Sequence, residues 1–303
     1  MKSHIDSYAE FLSGKLDIRR KFRVVADCSN GTAGSVFGKL KDEGGNLEVI
    51  LINERPDGNF PAHGPNPLLP GAMTELEKRV RKEDADLGIA FDADGDRVFF
   101  IDNLGRPIDA NEAGYILAQV FQPPFVVSEI ASWRLKKMDG ASASRVGHYF
   151  FKNLMRERNA SLGLEHSGHF YFRDFYYCDS GILAAVEVMN FSSSLETGLS
   201  SWLDSLPPYH RSGEINFSAQ GGPASGWKED ILDKIENKYR GKASRISRLD
   251  GLTLEFNLQD GGEYWINVRA SNTENLLRLN VEAFSPEILK SVTDEISGLI
   301  SGK

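Results

Sequence analysis

The chain is poor in cysteine, in positive charge and in long hydrophobic runs. Its 303 residues include only two cysteines, Cys28 and Cys178, whose separation fits no metal-binding or redox motif. No apolar run approaches the ~20 residues of a membrane helix, and the N-terminus lacks the apolar core of a signal peptide. The net charge of −8 argues against general nucleic-acid binding. We therefore expect a cytoplasmic protein with two buried free cysteines and with neither membrane nor nucleic-acid partners.

Three acidic residues on alternate positions, Asp92, Asp94 and Asp96, separate two apolar runs at residues 87–91 and 98–101. The pattern predicts strand, loop and strand, with the acids at the carboxyl end of the first strand, where open α/β sheets bind ligands. Carboxylates this close raise one another's pKa unless a cation neutralises them. Because all the donors are oxygens, the favoured cation is Mg²⁺.

Two other interpretations of this acidic loop (residues 92–97) have to be weighed. A calcium EF-hand counted from Asp92 requires glycine at the sixth position and glutamate at the twelfth, where this chain has Arg97 and Asn103. The other alternative is a solvated acidic hairpin turn. Arg97 argues against it, because a guanidinium beside a metal loop can bind phosphate bidentately.

The distribution of apolar runs predicts three domains. Strands alternate with helices in the first two thirds of the chain, and the pattern changes after a proline-containing linker near residues 206–210. We expect α/β domains at residues 1–112 and 113–205, and an α+β domain with a largely antiparallel sheet at residues 206–303. Expected elements in the first domain include a helix at residues 5–16 and a helix that extends through residue 40, after a glycine-rich turn. That turn suits phosphate binding or close packing equally well.

Two further polar loops each allow a functional and a structural interpretation. Residues 269–275 combine hydroxyl, amide and guanidinium donors that suit a phosphate, although a polar hairpin turn explains them as well. Glu165, Ser167 and His169 would point the same way in an extended segment and could bind sugar hydroxyls. His169 could also move a proton. The alternative there is a hydrogen-bonded turn.

Taken together, these motifs resemble the α-D-phosphohexomutase superfamily, which includes phosphomannomutase/phosphoglucomutase and phosphoglucosamine mutase. The resemblance covers the whole chain and is carried by residues 27–31, 56–61, 92–97, 165–169 and 269–274. It implies two α/β mixed-sheet domains of phosphohexomutase type followed by the α+β domain. The implied activity is a reversible shift of phosphate between the 1- and 6-positions of a hexose, through a hexose 1,6-bisphosphate.

The resemblance also implies a role for each matching residue. Asp92, Asp94 and Asp96 would bind Mg²⁺, and Arg97 and His169 would act at the transfer site. The implied substrate-binding residues are Arg145, His148, Glu165, Ser167, His169, Arg269, Ser271, Asn272, Thr273 and Arg278. Asn275 stands where the family commonly has proline, which would make the phosphate loop less rigid.

One part of the family pattern has no match in this sequence. The family's first domain carries the nucleophilic serine, and no loop here resembles it. We therefore expect the chain to need a separate phosphoserine domain in trans and to be inactive without it. The alternatives are a non-catalytic sugar-phosphate binding or regulatory protein and a Mg²⁺-dependent phosphatase that uses water. Phe170-Tyr171-Phe172 favours the mannose and glucose branch over a phosphoglucosamine mutase-like enzyme.

Overall fold

The computed structural model describes residues 3–40, 42, 44–218, 226–259, 262–271 and 274–302. The chain divides into two compact units. Unit 1 comprises Met1–Val127, Trp133–Ser142 and Gly147–Leu206, and unit 2 comprises Ser128–Ser132, Ala143–Val146 and Pro207–Lys303.

The first part of unit 1 is a five-stranded mixed sheet with the order β2-β1-β3-β4-β5. Strand β1 is parallel to β2 and β3, whereas β4 is antiparallel to both β3 and β5. Every residue of β3 and β4 is buried, because both strands are continuous apolar runs. The elements are α1 (His4–Ser13), β1 (Phe22–Asp27), α2 (Gly34–Phe37), β2 (Leu47–Ile52), α3 (Thr74–Lys82), β3 (Leu87–Phe91), β4 (Val98–Ile101) and β5 (Pro107–Ile108).

A second mixed sheet follows, with the order β10-β9-β8-β6-β7. Its elements are α4 (Ala110–Val120), β6 (Phe125–Ser128), α5 (Trp133–Lys136), β7 (Ala141–Ser144), α6 (His148–Arg158), β8 (Leu162–Leu164), β9 (Phe170–Phe172), β10 (Cys178–Asp179), α7 (Gly181–Ser194) and α8 (Leu199–Asp204). Strand β8 is parallel to β6 and antiparallel to β9. Helix α7 is apolar nearly all round and is buried along most of its length, as expected for a helix inside a core.

Unit 2 is built on a third sheet, which is antiparallel throughout its described strands. The order is β11-β16-β15-β14-β13, and β12 also pairs with β16. Its elements are β11 (His210–Arg211), β12 (Ile215–Ser218), α9 (Trp227–Tyr239), β13 (Arg245–Ser247), β14 (Leu252–Asn257), β15 (Glu263–Ala270), β16 (Leu276–Ala283) and α10 (Pro286–Ser301). The apolar faces of the sheet and of both helices form one core.

The fold class predicted from the sequence is confirmed: two mixed sheets are followed by an antiparallel one. The division into three domains stays a prediction. Two predicted helix ends, at residues 16 and 40, were wrong. Helix α1 already ends at Ser13, before Gly14, and α2 already ends at Phe37, before Gly38. Cys28 is buried as expected, but Cys178 is partly exposed. No helix in the described ranges has the length and hydrophobicity that a membrane span requires.

Candidate active site

The acidic loop connects β3 to its antiparallel neighbour β4, and the carboxylate of Asp92 determines its shape. Oδ1 of Asp92 accepts the backbone N–H groups of Gly95 (3.1 Å) and Arg97 (3.2 Å), and Oδ2 accepts Nε–H of Arg97 (2.6 Å). Gly95 has a φ of +77°, which favours glycine at this turn. The buried Asp92 therefore both closes the loop and orients Arg97.

The glycine-rich turn after β1 packs against the acidic loop. A Cβ atom on Gly31 would lie only 2.2 Å from the carbonyl oxygen of Ala93. That same oxygen accepts the N–H of Thr32 (2.8 Å), and the Thr32 hydroxyl donates to the carbonyl of Asp94 (2.9 Å). The N–H of Ala93 donates to the carbonyl of Pro65 (3.1 Å). Of the two interpretations of the turn, these contacts favour close packing.

The acidic loop brings three carboxylates together. Asp92, Asp94 and Asp96 each offer one oxygen, and these three oxygens lie within 4.8 Å of one another. Burial raises the pKa of Asp92 although Arg97 opposes that rise, whereas the hydrogen bond with His169 lowers the pKa of Asp96. A converging set of oxygen donors with excess negative charge fits a hard divalent cation such as Mg²⁺.

Residues 165–169, here called the histidine turn, connect β8 to β9. The N–H of Gly168 donates to the carbonyl of Glu165 (3.1 Å), and the N–H of Glu165 donates to the carbonyl of His169 (3.1 Å). Gly168 has a φ of +93°, which a residue with a side chain rarely adopts. The expectation of an extended segment was therefore wrong, and the alternative of a hydrogen-bonded turn is what the structure contains.

Side chains of the histidine turn are held by specific partners. Ser167 Oγ lies 2.8 Å from Nδ1 of His169, and Tyr171 donates its hydroxyl to Oε2 of the buried Glu165 (2.8 Å). Nε2 of His169 lies 3.5 Å from Oδ1 of Asp96. Burial opposes protonation of His169, but the neighbouring carboxylates outweigh it and raise its pKa. The imidazole therefore lies directly beside the acidic loop.

Backbone contacts join the acidic loop to the second sheet. The N–H of Val98 donates to the carbonyl of Gly168 (3.2 Å), and the N–H of Gly181 donates to the carbonyl of Gly95 (3.1 Å). A Cβ atom on Gly181 would lie 2.7 Å from the carbonyl oxygen of Arg97. The acidic loop, the histidine turn and the start of α7 are consequently one packed assembly within unit 1.

Two charged residues beside this assembly, Asp179 and Lys152, received no functional assignment from the sequence. Nδ1 of His148, the first residue of α6, lies 3.3 Å from Oδ2 of Asp179, and Lys152 Nζ lies 3.3 Å from Oδ1 of the same carboxylate. The N-cap of α7 is the next residue, Ser180, whose side chain accepts the N–H of Leu183. The spacing of His148 and Lys152, four residues apart on one helix face, was the available signal for Lys152. The His148 and His169 rings are 4.7 Å apart.

Unit 2 contains the second group of predicted binding residues. Arg269 and Arg278 are directly opposite each other in the β15–β16 pair. The Glu214 carboxylate lies 3.2 Å from Nη2 of Arg269 and 3.3 Å from Nη1 of Arg278. Ser271 Oγ accepts the backbone N–H of Glu274 (3.2 Å). Both arginine Nε atoms are buried and lack a hydrogen-bond partner among the described residues. This arginine cluster (Arg269, Ser271 and Arg278) therefore has donors for an anion.

The remaining predicted residues are less informative. Asn272 and Thr273 lie outside the residues that the structure describes. Arg145 is an exposed residue that follows β7, in the short segment of unit 2 that also includes Val146. The structure thus brings the acidic loop, the histidine turn and His148 together in unit 1, and places the arginine cluster in unit 2.

Three consecutive family models match most of the chain. They describe phosphoglucomutase/phosphomannomutase α/β/α domain II (residues 2–105), α/β/α domain III (residues 125–209) and the C-terminal domain (residues 224–299). A phosphomannomutase of Escherichia coli is 32% identical over 317 residues, which cover 98% of this chain and 67% of that protein. The chain belongs to the phosphoglucomutase/phosphomannomutase family. The three matched domains follow one another along the chain in the order II, III and C-terminal.

Other family members agree with this assignment. A phosphomannomutase of Salmonella typhimurium is 34% identical and one of Methanocaldococcus jannaschii is 32% identical; the matches cover 92% and 98% of this chain. The chain spans only 62% and 65% of the lengths of these relatives. The crystal structure of a phosphoglucomutase/phosphomannomutase family protein from Burkholderia thailandensis superposes with a TM-score of 0.81 at 25% identity, covering 98% of this chain and 64% of that one.

Proposed function

We propose that this chain provides the metal, sugar and phosphate sites of a phosphohexomutase that interconverts hexose 1-phosphate and hexose 6-phosphate through a bisphosphate. The observation that carries the proposal is the contact of the acidic loop with the histidine turn, where Asp96 and His169 are 3.5 Å apart. A cation-binding carboxylate beside a partly buried imidazole suits phosphoryl transfer to and from a sugar hydroxyl. Mannose and glucose phosphates are the proposed substrates, because the relatives are phosphomannomutases.

Mg²⁺ is the proposed cofactor, held by Asp92, Asp94 and Asp96; when bound, it would offset negative charge on the phosphoryl group. A fold neighbour, the N-acetylphosphoglucosamine mutase of Aspergillus fumigatus, was solved with GlcNAc-6P and magnesium. Arg97, held by its Nε–H bond to Asp92, would bind a phosphoryl oxygen. His169, oriented by a hydroxyl at Nδ1, would move a proton at Nε2.

The sugar and the second phosphate would be bound by the other predicted residues. Glu165, Ser167 and His148 offer an acceptor, a hydroxyl and a ring nitrogen for sugar hydroxyls. The arginine cluster would bind a phosphate group through charge-assisted hydrogen bonds. Arg145, Asn272 and Thr273 are proposed as further ligand contacts.

The phosphoryl donor is proposed to be a serine outside these 303 residues, on a further domain that belongs to the same polypeptide or to another. A coupled assay of glucose 1-phosphate to glucose 6-phosphate, with and without a separately expressed first domain of a relative, tests this. We expect activity only after that domain is added. Activity without it would contradict the proposal, binding of sugar phosphate without rescue would favour a non-catalytic protein, and release of inorganic phosphate would favour a phosphatase. The predicted cytoplasmic location stays a prediction.

The arginine cluster allows a separate test of phosphate binding. Glu214 forms ion pairs with both Arg269 and Arg278. Glu214→Gln should therefore free N–H donors of both guanidinium groups and tighten the binding of inorganic phosphate. Glu274→Gln is the matched control, because the more exposed Glu274 pairs with Arg278 alone at 3.3 Å. Phosphate affinity is measured by ³¹P NMR titration. Equal effects of the two substitutions would argue against a phosphate site at this cluster.

A further inference from the structure

We propose that Asp96, His148, His169 and Asp179 form a second cation site, which selects a borderline ion such as Zn²⁺ rather than Mg²⁺. Each residue offers one ligand atom, and the four atoms lie within 4.8 Å of one another. Two imidazole nitrogens and two carboxylate oxygens are a donor set for Zn²⁺ and similar transition ions, whereas Mg²⁺ prefers oxygen alone. We call these four residues the mixed site; it shares only Asp96 with the acidic loop.

The distances within the mixed site suit a tetrahedral ion. Ligand bonds of about 2.0–2.1 Å in a tetrahedron place neighbouring ligand atoms about 3.3 Å apart. Nδ1 of His148 lies 3.3 Å from Oδ2 of Asp179, and Nε2 of His169 lies 3.5 Å from Oδ1 of Asp96. Each nitrogen–oxygen pair therefore already has the spacing of a tetrahedral edge, and closure requires only that the two pairs approach each other.

The carboxylate of Asp179 provides an independent indication of a missing ligand. Its side chain is only 7% exposed, and Oδ2 has no hydrogen-bond partner among the residues that the structure describes. Buried carboxylate oxygens are normally satisfied by hydrogen bonds or by a cation. This oxygen lies 3.3 Å from Nδ1 of His148, so a cation bound to both atoms would satisfy it.

A second polar layer orients one of the histidines for metal binding. With Ser167 Oγ 2.8 Å from Nδ1 of His169, the imidazole proton can reside on Nδ1 when a cation replaces the proton on Nε2, the nitrogen that now lies 3.5 Å from Asp96. His148 has a side chain that is 44% exposed, so an ion has a route from solvent. These are two features that a metal site requires besides its ligands.

One cation already competes for the mixed site. The ammonium group of Lys152 lies 3.3 Å from Oδ1 of Asp179 and 5.9 Å from the ring centroid of Tyr171. Its charge would oppose a dication that binds to the same carboxylate. If the proposed function is correct, an ion at the mixed site would also exclude hexose phosphate, because His148 and His169 are proposed sugar contacts.

Co²⁺ is a suitable probe, because tetrahedral Co²⁺ absorbs visible light and reports its own coordination, independently of activity. We expect a Co²⁺ absorption band that Zn²⁺ displaces and Mg²⁺ does not. His148→Ala and Asp179→Asn should weaken Co²⁺ binding by at least about 10–100-fold, the range seen when even outer groups of metal sites are lost. Asp94→Asn is the matched control: it removes a carboxylate of the acidic loop and should leave the Co²⁺ band unchanged.

Lys152→Gln tests the mixed site without removing a ligand. Loss of the competing ammonium should tighten Co²⁺ binding, and circular dichroism melting curves should show that each variant is folded. The proposal is overturned if Asp94→Asn abolishes the band while Asp179→Asn preserves it, because the ion would then lie in the acidic loop. It is also overturned if Co²⁺ gives only an octahedral spectrum or if Lys152→Gln weakens binding.

Discussion

Replacing Gly31 by alanine should damage the acidic loop without touching any of its charged residues. The added Cβ would lie 2.2 Å from the carbonyl oxygen of Ala93 and 2.8 Å from its carbonyl carbon and Cα. These atoms are backbone, so no side-chain rotation can relieve the clash. Either the acidic loop or the turn after β1 has to move, and the 2.8 Å hydrogen bond from Thr32 to Ala93 would be lost or distorted.

The magnitude follows from this distance. Ordinary carbon–oxygen contacts begin near 3.4 Å, so the backbone must shift by about 1 Å, and overpacking of this kind typically costs about 1–3 kcal/mol. Metal ligands tolerate displacements of only about 0.2 Å. We therefore expect the affinity for Mg²⁺ to fall by at least about tenfold, the lower end of the loss seen when groups that orient metal ligands are altered.

Urea unfolding and isothermal titration calorimetry with Mg²⁺ measure the two effects. Gly58→Ala is the matched control, because a Cβ there would meet nothing within 4 Å. That substitution should leave Mg²⁺ affinity unchanged and stabilise the fold slightly, if at all, by restricting the unfolded chain. If Gly31→Ala and Gly58→Ala gave the same stability and the same Mg²⁺ affinity, the packing argument for the acidic loop would be refuted.

Three further outcomes are expected. Tyr171→Phe removes the hydroxyl that donates to buried Glu165 and should lower the free energy of unfolding in urea by about 1–3 kcal/mol. The control Tyr177→Phe loses only an exposed 3.3 Å hydrogen bond and should have little effect. Equal losses of stability in the two variants would contradict this prediction. Burial raises the pKa of Cys28 to about 12, so this thiol stays protonated at pH 8. A thiol reagent should therefore label only the partly exposed Cys178 in the native protein, and labelling of both cysteines would contradict this prediction. The acidic loop alone should bind Mg²⁺ weakly, because a phosphate or a partner has to supply further oxygens; tight stoichiometric binding in calorimetry would exclude that interpretation.

Strand positions around the site could be predicted because their sequence signals are local. The predicted strands at residues 87–91 and 98–101 agree with β3 and β4 at both ends. Apolar runs of strand length bounded by charged or turn-forming residues leave little freedom for the strand boundaries. The end of the short helix α2 was harder to predict, because its sequence also allows a longer helix. In the structure the helix ends at Phe37, and Gly38 is its C-cap.

The partners of the candidate site could not be predicted, because they depend on contacts between distant segments. Asp179 reaches His148 and Lys152 only after β10 and α6 have packed together. The histidine turn was predicted to be extended in one interpretation, since alternation of polar residues suits a strand. Its actual shape depends on the positive φ of Gly168 and on the pairing of β8 with β9.

The sequence alone determined the fold class, the family resemblance and the identity of the three acids and the histidines, because these depend on local periodicity and on motif residues. Only the tertiary structure decided what these residues contact. Asp92 closes the acidic loop and holds Arg97, while Asp96 faces His169. Such contacts join residues up to 73 positions apart, as between Asp96 and His169, and no local pattern specifies them. They arise when the buried sheets and α7 pack, since packing orients every side chain at their edges.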